Sequence, residues 1–320
     1  GMTNMNLQEI QKLAVDLGIK NDLRGVQRMK KIMARTKEKY EHLSKAQKEE
    51  FDEIKLTNPY TDSRILNDTK RKSIKKVMAG IDIGGAELLL AKQMGDIDLV
   101  IAHHPEGRAL ADLHDVMDLQ AEIISLHGVP INVAESVLRP RISEISRGLS
   151  PVNHNRSVDM AKALGLDFMC CHTIQDNMAA TFIINLLEKN KAKIETVGDI
   201  VSILKTVPEY KEAMKHGAGP KLFVGSEDHS AGKIVVTEFT GGTNGSKEIY
   251  EKMAHAGIGT IISMHMGEEH RKEAMKYHLN VVIAGHMSSD SLGMNLFLDE
   301  LEKKGIKTVP ISGLIRVKRK

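Results

Sequence analysis

Beyond residue 76 the chain alternates short apolar runs with longer segments of helical periodicity, and this alternation limits the folds open to it. The runs fall at 77–83, 99–102, 131–134, 168–171, 222–225, 233–238, 260–264 and 281–284. Each is too short for a helix and mainly apolar, as strands buried on both faces are. Helical spacing at 111–126, 158–164, 246–256, 270–278 and 292–304 separates most of them. Strands alternating with helices predict a layered α/β architecture.

The first part of the chain is different. Leu7, Ile10, Leu13 and Leu17, then Val26, Met29 and Met33, recur at helical spacing, which predicts amphipathic helices up to about residue 54. The stretch 56–68, with Asn58-Pro59 and several Thr, Ser and Asp, has loop chemistry. The expected organisation is a helical extension and linker over 1–76 followed by an α/β domain over 77–320. Residues 1–80 hold 18 basic and 11 acidic side chains, so the net charge of +3 is an N-terminal property. With 6 Phe, 5 Tyr and no Trp, stacking surfaces for single-stranded nucleic acid are scarce, and nucleic acid is not an expected partner. No apolar run approaches the roughly 20 residues of a membrane span. The first 25 residues lack the basic-then-apolar pattern of an export signal. Cys170 and Cys171, the only cysteines, form no disulfide framework, and a cytoplasmic location is expected.

Chemistry collects where three of the apolar runs stop. The run 99–102 breaks into His103-His104-Pro105, the run 168–171 into His172-Thr173-Ile174-Gln175-Asp176, and the run 281–284 into Gly285-His286 with Asp290 four residues on. Strand ends are where open α/β sheets present ligands. His172 suits either a ligand or a partner that orients one, and a helix starting near Ser288-Ser289 would return Asp290 to the side of His286. Imidazole with carboxylate is the donor set of zinc, manganese and iron. Five side chains, His103, His104, Asp176, His286 and Asp290, exceed one tetrahedral site and suit two divalent transition metal ions. Two such ions carry more positive charge than two aspartates remove, so the site favours an anionic small molecule and hydrolytic activation of water.

These motifs, with Gly241-Gly242-Thr243-Asn244-Gly245 and Gly267-Glu268 followed by His270, resemble the dinuclear-metal family named after the yeast Ngg-one interacting factor three. Its members are also described as type-two homologues of GTP cyclohydrolase one. The resemblance spans about 77–317 and leaves the basic N-terminal segment outside it. It implies an α/β fold of two related lobes with the metal pair in the cleft between them, and assembly as a homo-oligomer, a toroidal hexamer. It also implies that His103, His104, His286 and Asp290 are ligands, Asp290 standing where the family has glutamate. The family's remaining ligand, from a His-Thr-x-x-Asp motif, falls on Asp176, or on Glu135 in an alternative alignment.

Other groups carry secondary expectations. The turn 241–246 is not a phosphate-binding P-loop, because Lys247 follows serine rather than glycine. It can still offer backbone N–H groups to an anion, as can His154 or Arg156 with their side chains. Glu268 and Glu269 are candidate general bases or the acidic first turn of a helix, and His154 is a further catalytic candidate. His255, His265 and His278 read as surface or packing histidines. The leading expectation is a dinuclear-metal hydrolase acting on a phosphate-containing or nucleotide-like molecule; the alternative is a metal-stabilised scaffold without turnover.

Overall fold

The computed structural model describes residues 4–319. Its strands are β1 (Ile65–Asn67), β2 (Lys76–Gly80), β3 (Leu99–Ala102), β4 (Asp167–Cys170), β5 (Lys221–Val224), β6 (Lys233–Val236), β7 (Ile258–Ser263), β8 (Asn280–Ile283) and β9 (Lys307–Ile311). They form a sheet of order β1-β4-β3-β2-β9 and a sheet of order β5-β8-β7-β6. Both follow one plan. Inner strands run parallel, and one edge strand, β1 or β5, is antiparallel to its neighbour.

The unbroken apolar runs have a direct cause. In the first sheet Val77, Ala79, Leu99, Ile101 and Met169 face one core, while Met78, Val100, Ala102, Phe168 and Cys170 face another. In the second sheet Val236, Ile262 and Val282 enter one core, and Val235, Ile261 and Val281 the opposite one. Because successive strand residues point to opposite faces, helices on both sides require every position to be apolar.

Three expectations are corrected. Residues 131–134 are not a strand but the first turn of the helix Ile131–Leu149. Ala134, Leu138 and Ile142 are its buried stripe, and their four-residue spacing outweighs the local apolar run. The expected helix 111–126 is divided into Gly107–Ala111, a 3-10 turn Leu113–Val116, and Asp118–Ser125. The stretch 56–68 is not an open loop: it contains β1, and Asn58, Tyr60, Thr61, Asp62 and Ser63 are buried. Strand β9 and the helices Gly85–Met94, Thr173–Lys189, Val197–Leu204 and Pro208–Met214 lie where no element was expected.

The N-terminal helix Leu7–Lys20 starts in a capping box, with Asn6 accepting from the Glu9 N–H and Glu9 from the Asn6 N–H. Its Leu7, Ile10 and Ala14 complete the core that also holds Val77, Leu99 and Phe297. Behind it, the Tyr60 hydroxyl donates to Asp22 at 2.7 Å, and Arg24 bridges Asp22 and Glu122. This network ties the segment after the first helix to the helix Asp118–Ser125.

One close approach joins the two sheets. The helix Thr173–Lys189, which follows β4, packs along the helix His286–Lys303, which follows β8. Gly293 is the contact point: a Cβ there would lie 2.4 Å from the Gln175 carbonyl oxygen, which a methyl group cannot share. Overpacking of this kind costs on the order of 1–3 kcal/mol. Gly293→Ala is therefore expected to lower the midpoint of thermal unfolding by several degrees, and an unchanged midpoint would show that the helices are free to part.

Candidate metal centre

Each group of the centre sits at an element boundary. His103 and His104 follow β3 directly, and the chain keeps pairing with the end of β2, His103 N–H donating to Gly80 O and His104 N–H to Ile81 O. His172 is the residue before the helix Thr173–Lys189, so Asp176 stands one turn on, with 3.4 Å between His172 Nε2 and Asp176 Oδ2. The third helix starts at His286 itself rather than near Ser288, which again places an acid one turn beyond a histidine: His286 Nε2 is 3.0 Å from Asp290 Oδ2. Packing at Gly293 brings these two helix starts together.

The result is one cluster. His103 Nε2 lies 3.1 Å from Asp176 Oδ1 and 3.0 Å from Asp290 Oδ1. His104 Nε2 lies 3.0 Å from Asp290 Oδ2, and the His104 and His286 rings are 5.3 Å apart. Asp290 thus turns one oxygen to His103 and the other to His104 and His286. His103 is fully buried, and Asp176 and Asp290 are 4% and 1% exposed. All five residues singled out as ligands from sequence meet here, although 187 positions separate His103 from Asp290.

The imidazoles are held in one tautomer from behind. His103 Nδ1–H donates to Gln175 Oε1 at 2.8 Å, His104 Nδ1–H to Asp82 Oδ1 at 2.6 Å, and His172 Nδ1–H to Asp62 Oδ2 at 2.8 Å. With Nδ1 so engaged, Nε2 is the atom turned to the carboxylates; it carries a proton toward them when no cation is bound, as His104 Nε2 does toward Asp290 Oδ2, and is the atom a metal would take. Asp62 is itself fixed by the Thr173 hydroxyl at 2.6 Å and by Ser63. The stretch 56–68 therefore supplies the carboxylate that orients His172.

Electrostatics reinforces the geometry. Burial alone would lower the pKa of His103, but the charges of Asp290 and Asp176 reverse this and hold it well above its ordinary value. Burial would raise the pKa of Asp290, yet the positive charge of His103 and the imidazoles of His104 and His286 against its other oxygen hold it well below the usual carboxylate range. The cluster thus demands positive charge beside its acids. His103 Nε2 and Asp176 Oδ1 are nonetheless buried without a hydrogen-bond partner, since their mutual angle is wrong for one. Donor atoms about 3 Å apart that do not aim at each other are what a common cation at about 2.0–2.1 Å requires, because neighbouring ligands then lie roughly 2.9–3.3 Å apart. Among the described residues two groups could hold a metal ion: His103, His172 and Asp176; and His103, His104 and Asp290. The donors present fit a transition metal.

The candidate general bases lie elsewhere. Glu268 pairs with Arg271, and Glu269 with Lys272, at the exposed start of the helix Glu268–Lys276. His154 Nε2–H donates to Leu149 O. Glu135 is exposed on the helix Ile131–Leu149, so the acid beside His103 is Asp176. His265, read as a packing histidine, is instead stacked 4.5 Å from His286. Its pKa is lowered by burial and by the neighbouring His286. The signal for it was present: His265 stands two residues beyond β7 with Glu269 four residues on, the spacing of His172 to Asp176, although Glu269 pairs with Lys272 in solvent instead of joining the cluster. Asp62, Asp82 and Gln175 carried no recognisable sequence signal.

Two mixed sheets that face a shared cluster of histidines and aspartates define an α/β protein with a candidate metal cleft between lobes. A crystal structure of a NIF3 superfamily protein from Sphaerobacter thermophilus is 30% identical over 81% of this chain and 94% of that one, with a TM-score of 0.74. This chain belongs to the NIF3 superfamily. More distant likenesses include reduced HcgD from Methanocaldococcus jannaschii, at 16% identity over 75% of this chain and 84% of that one, TM-score 0.47. Staphylococcus aureus hypothetical protein SA1388 follows at 14% identity over 81% and 93%, TM-score 0.42. No protein-family model and no curated protein matches the chain.

Gln175 offers a clean test of the supporting bonds, because its Nε2 has no partner to lose. Gln175→Leu is expected to weaken metal binding about 10–100-fold, read by competition with a chromophoric chelator. Unchanged affinity would mean that His103 needs no such support.

Proposed function

We propose that this chain is a dinuclear-metal hydrolase whose substrate is a phosphate-containing or nucleotide-like small molecule. The observation that carries the reading is the division of Asp290, one oxygen at 3.0 Å from His103 Nε2 and the other at 3.0 Å from both His104 Nε2 and His286 Nε2. A carboxylate so placed serves as a bridge between two ions. One would be held by His103, Asp176 and Asp290 Oδ1 with His172 alongside, the other by His104, His286 and Asp290 Oδ2. Bound there, divalent zinc, manganese or iron lowers the pKa of water and supplies a nucleophile at neutral pH.

The chain's own residues set the conditions for that chemistry. Asp176 and Asp290 remove part of the ions' charge and leave a net positive site, which attracts an oxyanion. Gln175, Asp82 and Asp62 keep three Nε2 lone pairs aimed inward and so prevent the imidazoles from turning away as charge shifts during reaction. Burial of His103 and both aspartates limits water to the cleft side.

Metal analysis of protein purified without added metal is expected to give two transition-metal ions per chain, and the double variant His103→Ala, His286→Ala to give none. A screen of phosphoesters and nucleotides is then expected to yield a turnover that Asp290→Ala abolishes with the fold intact. A flat screen on fully loaded protein would favour a scaffold.

Homo-oligomeric assembly, a hexamer by family resemblance, belongs to the same reading. The helix Gly85–Met94 supports it by leaving Leu89, Leu90 and Met94 exposed by 52%, 42% and 42%. Light scattering is expected to report a multiple of the 35.4 kDa chain, whereas a monomer would remove assembly from the account. Among the described residues no helix is long and apolar enough to cross a membrane. The two buried free thiols, Cys170 and Cys171, suit a reducing, cytoplasmic setting.

A further inference from the structure

The turn between β6 and the helix Ile249–His255 faces the metal cluster. Gly242, Thr243 and Asn244 line the same narrow cavity as His172, Asp176, His286 and Asp290. The carbonyl groups of this turn are held from the opposite side. Gln120 Nε2, from the helix Asp118–Ser125, donates to Gly241 O at 2.8 Å and to Thr243 O at 2.6 Å. Arg141 Nε donates to Asn244 O at 3.0 Å, and His270 Nε2–H to Gly245 O at 2.9 Å.

In a trans peptide the N–H points opposite to the carbonyl it is bonded to. Tying Gly241 O and Thr243 O to Gln120 therefore turns the N–H groups of Gly242 and Asn244 away from that helix, on the side of the cavity. Among the described residues neither N–H donates to a protein acceptor. The conformation needs glycine: Gly241 and Gly242 both have φ of 94°, and a Cβ on either would press on Leu119 or Met117 at 3.0 Å. The Asn244 side-chain amide extends the row of donors, its Nδ2 lying 3.5 Å from His265 Nδ1. Glu238, two residues beyond β6, has its buried Oε1 beside Gly245, and its Oε2 accepts from the Tyr250 hydroxyl. Burial pushes its pKa up, against the charge of His270.

We propose that the N–H groups of Gly242 and Asn244, with the Asn244 amide, form a cradle for a phosphate-type oxyanion. It would grip the substrate while the metal cluster acts on the reacting bond. Concave runs of free N–H groups bind such anions without any lysine or arginine. The proposal deepens the hydrolase reading and rests on it for the role of the cradle, though not for its existence.

The test is calorimetric titration of inorganic phosphate into metal-loaded protein, with metal content measured on the same samples. Asn244→Asp places a negative charge in the cradle and is expected to weaken phosphate binding by roughly tenfold or more, while Asn244→Ala, which removes only the amide donors, is expected to weaken it about threefold. Both variants should keep the wild-type metal content and melting temperature. Equal phosphate affinity in wild type and Asn244→Asp, or no phosphate binding by loaded wild type, overturns the cradle and leaves the metal reading standing. If the wild type takes up no metal, the metal reading fails by itself. The same titration on metal-free protein then decides the cradle, with weak binding that Asn244→Asp removes supporting it and no binding overturning it.

Discussion

Two buried carboxylates held against one buried imidazole are the constraint on which the rest of this structure depends. Asp176 and Asp290 both approach His103 within 3.1 Å, in a region almost without solvent. An ionised acid taken from water is costly unless a positive charge meets it, and two side by side are worse. The protein meets the cost with histidines fixed from behind, and the unpartnered Nε2 of His103 suits a cation better than it suits a hydrogen bond. The features around the cluster, from the Gln175 bond to the close helix crossing at Gly293, serve to keep those two acids in place.

The two sheets have a division of labour in this. The first supplies His103, His104, His172 and Asp176 from the ends of adjacent parallel strands, so their relative positions follow from strand register. The second contributes His286 and Asp290 on a helix that reaches across to pack on its counterpart. The group His103, His172 and Asp176 comes from the first sheet alone, whereas the group with Asp290 needs both. The segment before β1 has a share as well, since Asp62 orients His172 and the neighbouring Tyr60 is anchored to Asp22. A stretch with loop composition is thus part of the centre's foundation.

Much of this was legible in the sequence, for identifiable reasons. A strand buried on both faces must be apolar throughout, so its end shows as an abrupt change, and a histidine there stands out; this made His103, His104, His172 and His286 visible. Asp176 and Asp290 were legible because a four-residue spacing after a histidine is one helical turn. The misread elements failed for the converse reason. Residues 131–134 are apolar enough for a strand, but they begin a helix whose evidence, Leu138 and Ile142, lies further on. Asp62, Asp82 and Gln175 act on histidines 22 to 110 positions away through single hydrogen bonds, and no local pattern marks such partners. His265 had the right position and even an acid four residues on, but Glu269 opens an exposed helix and pairs with Lys272.

The central claim is that these side chains grip two cations bridged by Asp290. Anomalous diffraction from crystals of the metal-loaded protein, recorded on both sides of the metal absorption edge, tests it most directly. Two peaks about 3.5–4 Å apart, one beside His103 and Asp176 and the other beside His104 and His286, are expected. A single peak, or none in a crystal whose His103 and Asp290 still touch, would contradict it.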